Sequence, residues 1–66
     1  MSANNKLVIS KDAKDMYRIE NVDVDTGDGF SIAEPCKTLK EAITKANAYM
    51  QEEIVEYGLE ISEDFV

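Results

Sequence analysis

Apolar residues from Thr38 to Gly58, TLKEAITKANAYMQEEIVEYG, recur at the helical period. They fall at Leu39, Ala42, Ile43, Ala46, Met50, Ile54 and Tyr57, one stripe along a helix. Lys40, Glu41, Thr44, Lys45, Gln51, Glu52 and Glu56 fill most of the other side, with Tyr49 on the flank and Ala48 and Val55 on the polar side. Thr38 suits an N-cap, and Glu41 three residues on completes a capping box. Pro35 upstream keeps Glu34 out of helical geometry, and Gly58 is placed to leave the helix in a left-handed conformation. The pattern predicts a helix from Leu39 to Tyr57. At ~1.5 Å per residue it would be roughly 28 Å long, longer than strands of about 16–23 Å, so its last turns would overhang.

Upstream the period changes to two. Lys6–Ser10 (KLVIS) predicts a strand with Leu7 and Ile9 on one face, after a loose Met1–Asn5. Met16–Val22 (MYRIENV) alternates in the same way, with Tyr17 and Ile19 inward. Asp23–Gly29 (DVDTGDG) is turn chemistry, and Phe30–Ala33 (FSIA) is a third short strand with Phe30 and Ile32 inward. Leu59–Ser62 leaves room for a short fourth strand before a tail, Glu63–Val66.

The expected fold is a single α+β domain over residues 1–66. A three-stranded antiparallel sheet in β-β-β-α order carries one long amphipathic helix on one face. The expected core is Leu7, Ile9, Tyr17, Ile19, Phe30, Ile32, Leu39, Ile43, Ala46, Met50 and Ile54. Val8, Met16, Arg18 and Val22 lie on the other face, which nothing covers. That face is a candidate homodimer patch.

Charge changes this picture more than size does. The net charge is −7, and it is uneven. Residues 46–66 hold no Lys or Arg but six acids: Glu52, Glu53, Glu56, Glu60, Glu63 and Asp64. Such a surface disfavours direct nucleic-acid contact and anionic membrane. Acids near a helix C-terminus oppose the macrodipole, and Glu52–Glu56 would repel at i, i+4. Either a solubility requirement or a partner supplying positive charge would account for both costs. No apolar run reaches ~18 residues, the N-terminus does not read as a signal peptide, and one cysteine fits a reducing compartment. A cytoplasmic location is expected.

Candidate chemistry is sparse. An EF-hand reading of the Asp23–Gly29 loop would use Asp23, Asp25 and Glu34, but its sixth position is Asp28 where glycine belongs. A hairpin turn with solvated acids is the preferred account, and calcium binding stands as an alternative. Cys36 precedes a helix, but the chain has no histidine to serve as its base or to build a zinc site. Cys36 reads as half-buried structure. No enzyme activity and no cofactor are implied, and a chain of this size seldom makes a ligand-sized pocket.

Thr38, Leu39, Lys40, Glu41 and Ala42 open the helix much as a Thr-Leu-Glu-Glu-Ala-type signature does in HicB-family antitoxins. The stretch Lys6–Ser62 resembles the N-terminal domain of that family, which runs strand–strand–strand–helix. The family's Asp-Leu-Pro-Gly-Cys-type loop is not reproduced, because Pro35-Cys36 lies only two residues before Thr38. The family's DNA-binding segment is also missing from the resemblance. The resemblance implies an antitoxin-like protein that masks a basic RNA-cleaving partner.

The expected function is a small acidic protein-binding or regulatory module. Its contact residues would be Glu52, Glu53, Val55, Glu56 and Glu60, facing a protein partner with a basic surface. A phage-type inhibitor mimicking nucleic-acid charge is the other reading.

Overall fold

The computed structural model describes residues 4–12 and 14–62. The expected tail, Glu63–Val66, and most of the expected loose N-terminus lie outside the described residues. Five elements follow in order: β1 (Asn5–Lys11), β2 (Tyr17–Asp23), β3 (Gly29–Ser31), α1 (Leu39–Glu52) and β4 (Leu59–Ile61). The fold is α+β. The sheet has four strands in the order β3-β2-β1-β4 and is mixed, since β1–β2 and β2–β3 pair antiparallel while β4 runs parallel to β1.

The first three strands form the expected antiparallel sheet, and the fourth strand, whose direction the sequence leaves open, adds parallel to β1. Two reversals leave β3 pointing as β1 does. The helix then carries the chain back along the sheet, so the strand after it points the same way again. It docks beside β1 because the other side of β1 is already taken by β2. Placed between two partners, β1 becomes an inner strand, which suits the apolar run Leu7-Val8-Ile9.

Register fixes the two faces. Leu7 and Ile9 pair with Asn21 and Ile19, and on the other side with Leu59 and Ile61. Leu7, Ile9 and Ile19 are buried beneath α1, which presents the buried Ala42 and Ala46 to them. Two alanines one turn apart let the helix axis approach closely, so larger sheet side chains fill the interface. Cys36 completes the buried core. Its backbone exchanges two hydrogen bonds of 2.8 Å with Tyr17, pinning the β3–α1 connection to the start of β2. The expectation of a half-buried Cys36 is therefore corrected: the residue is wholly inside.

Thr38 caps α1 as expected, its Oγ1 accepting from the Glu41 N–H at 3.1 Å. The far end differs. The helix stops at Glu52, and Glu53 is already extended (φ −122°, ψ 147°). Fourteen residues make it about 21 Å long, matching the seven-residue strands below, so nothing overhangs. Unwinding exchanges two neighbours. Ile54, expected in the core, is 78% exposed, while Val55, expected on a polar helix face, packs against the core. The expected Glu52–Glu56 repulsion within the helix lapses as well, because Glu56 is no longer helical.

Phe30 is the other correction to the expected core. Its pairing with Asn21 puts it on the helix face, but α1 lies over β1 and β2 rather than over β3. The ring is 60% exposed.

Candidate protein-contact surface

The connection from α1 to β4 is held by a residue at the start of β1. Asn5 donates from Nδ2 to Asn21 Oδ1 at 2.9 Å and to the Ile54 carbonyl at 3.4 Å. Its Oδ1 accepts from the Glu56 N–H at 3.3 Å, and its backbone carbonyl from the Tyr57 N–H at 3.0 Å. Asn21 in turn donates to the Tyr49 hydroxyl of α1 at 3.0 Å. This chain of amides ties β1, β2, α1 and the connection into one unit. Sequence patterning missed Asn5, which reads as the last residue of a loose N-terminus. A pair of asparagines on a helix-facing register was the available signal.

Held in this way, the connection presents Glu52, Glu53 and Glu56 to solvent beside the exposed side chains of Ile54 and Tyr57, the latter 61% exposed. No basic residue stands in the last turn of α1. The Glu53 N–H closes the helix on the Tyr49 carbonyl at 2.9 Å. Gly58, with φ +72°, reverses the chain into β4, where its carbonyl accepts from the Leu7 N–H at 2.9 Å.

The five expected contact residues do not form one patch. Glu52, at the end of α1, and Glu53 and Glu56, on the connection, are exposed. Val55 turns inward. Glu60 pairs with Val8 in register and projects from the opposite face of the sheet. There it forms an ion pair with Lys6 at 3.1 Å. Ile54 and Tyr57, expected as part of the helix stripe, take the exposed positions instead.

The open sheet face is more polar than expected. Val8 sits opposite Glu20, and Val22 opposite Lys6. Arg18 donates to Ser31 Oγ at 3.3 Å. Val8, Met16 and Val22 are half-buried among these charged side chains.

The acid-rich hairpin uses the Asp23 carboxylate on its own backbone. Asp23 Oδ1 accepts from the N–H of Asp25 at 2.8 Å and of Thr26 at 3.3 Å. Asp25 accepts from the side-chain amide of Asn4. Gly27 takes φ +81°, while Gly29 is needed for space: a Cβ there would stand 3.0 Å from Val22 Cγ2. Among the described residues no three His, Cys, Asp or Glu side chains converge as a metal site would need.

Among the described residues two hollows stand out. One, of about 550 Å³, is lined by Asp12, Lys14, Met16, Glu34 and Pro35. The other, of about 500 Å³, lies between the Asn5–Asn21 pair and the hairpin, with Phe30 at its side. Both are wide open to solvent rather than enclosed. Asp12 is held below the ordinary carboxylate range by the N–H groups of Met16 and Lys14, at 3.0 and 2.8 Å. That is the role of a turn cap.

The fold and its exposed connection define a small mixed α+β domain. No family model, curated protein or solved structure matches the chain. No helix among the described residues is long and apolar enough to cross a membrane.

Proposed function

We propose that the protein is a non-enzymatic, cytoplasmic binding module, antitoxin-like in action, that engages a protein with a basic surface. The carrying observation is the end of α1 and the α1–β4 connection, where three exposed acids without ion pairs alternate along the chain with two exposed apolar side chains, Ile54 and Tyr57. Apolar anchors inside a charged rim are the usual composition of a contact surface. The hydrogen bonds from Asn5 hold it in shape before any partner arrives, which limits the ordering cost of association. The β-β-β-α order supports the antitoxin-like reading. The acids would steer a basic partner and make association salt-sensitive.

The test compares retention of lysate proteins on the immobilised chain at low and high salt, with wild type and Glu52→Lys/Glu53→Lys/Glu56→Lys. A basic partner held at low salt should be released at high salt and lost from the variant, with affinity falling at least about tenfold, or ~1.4 kcal/mol. If nothing is retained at low salt, or the variant binds as well as wild type, the reading fails. Competition by DNA for the captured protein would favour mimicry of nucleic-acid charge instead.

A further inference from the structure

The sheet ends at β3, and among the described residues no strand lies beyond it. The hydrogen bonds between β2 and β3 define which backbone groups face outward. Asp23 donates to the Asp28 carbonyl at 2.7 Å, and Ile32 donates to the Ile19 carbonyl at 3.1 Å. In an antiparallel ladder, bonded and non-bonded pairs alternate. Phe30 therefore turns its backbone toward Asn21, while Gly29 and Ser31 turn theirs to the free edge. On the helix face of this edge stands the ring of Phe30, 60% exposed.

We infer that β3 pairs antiparallel with β3 of a second copy of this chain, about a two-fold axis at Phe30. The register follows from the backbone. Gly29 of each copy meets Ser31 of the other, and the outward N–H and C=O groups of both residues are satisfied together. Phe30 then faces its own counterpart at a non-hydrogen-bonded position, where side chains lie closest and aromatic pairs are favoured. Two uncovered rings cover each other, and the two sheets become one of eight strands.

Charge selects this edge over the other. Protected edges carry charged residues, proline or bulges. Gly29–Ser31 carries none of these and holds no acid of a chain with net charge −7. At the opposite edge, β4 turns the backbone of Leu59 and Ile61 outward and holds Glu60 at its centre. Two copies joined there would set carboxylate against carboxylate. The β3 seam uses none of the residues of the acidic connection.

A three-residue seam is small, so the pair should form only at high protein concentration. Sedimentation equilibrium of the full chain from about 10 µM to about 1 mM spans the range in which so small an interface is populated. The apparent mass should rise from 7.4 kDa toward twice that value. Amide exchange at Gly29 and Ser31 should slow over the same range. Phe30→Lys sets like charges across the seam, and Ser31→Pro removes an outward N–H that β2 does not use. Each should leave the far-ultraviolet circular dichroism unchanged and hold the mass at 7.4 kDa. Val8→Lys, on the open face between Glu20 and Glu60, should associate as wild type does. A constant monomer mass overturns the inference. So does association that survives Phe30→Lys and Ser31→Pro, or association that Val8→Lys abolishes.

Discussion

Single side chains at turns decide local order in this chain. Asp12 accepts two backbone hydrogen bonds between β1 and β2, and its carboxyl titrates below the ordinary range for that reason. Its folded-state value lies beneath the unfolded value of about 3.9. The stabilisation is therefore complete above the unfolded value and is lost as pH falls through the folded one. Asp12→Ala should lower the urea midpoint at neutral pH, and the gap from wild type should close on acidification below that window. A gap that is constant with pH would remove the charge from the explanation. Asn5 acts at longer range, since its amide joins β2 and the connection to β1. Asn5→Ala should cost about 1–2 kcal/mol in urea unfolding, the loss expected for a partly buried amide with several partners. It should also speed amide exchange at Glu56 and Tyr57. Unchanged exchange there would mean that the connection holds itself.

At the scale of elements, the end of α1 is where composition and packing compete. The apolar stripe keeps the helical period as far as Tyr57, yet the chain unwinds after Glu52. Continued helix would keep Val55 in water and place acids where the macrodipole disfavours them. Unwinding packs Val55 onto the core and releases Ile54. Val55→Ala should therefore cost about 1–2 kcal/mol, and Ile54→Ala less than about 0.5 kcal/mol. The reverse order in urea unfolding would return the helix to its longer form. The contrast shows what patterning can read. Thr38 and the Ala42–Ala46 spacing located the helix start and its buried stripe, because capping and periodicity are local. Where the helix ended depended on how far the sheet extends beneath it. Phe30 failed for a similar reason: alternation assigned its face correctly, but only the position of α1 over β1 and β2 determines whether that face is covered. The acidity of Glu52, Glu53 and Glu56 was legible as charge asymmetry. Separating Glu60 from them required knowing that β4 turns it to the far side beside Lys6.

For the molecule as a whole, the parallel docking of β4 on β1 has a directional result. The chain enters the sheet at Asn5, beside the acidic connection. It leaves at Ile61, which is in register with Ile9 toward the opposite end of β1. Asn5 thus stands next to Glu56 and Tyr57, whereas Ile61 stands level with Ile9, four residues further along β1. The two positions are not equivalent for a probe or a surface linker. A bulky group placed at Asn5 would crowd the proposed contact surface, whereas one placed at Ile61 would leave it open.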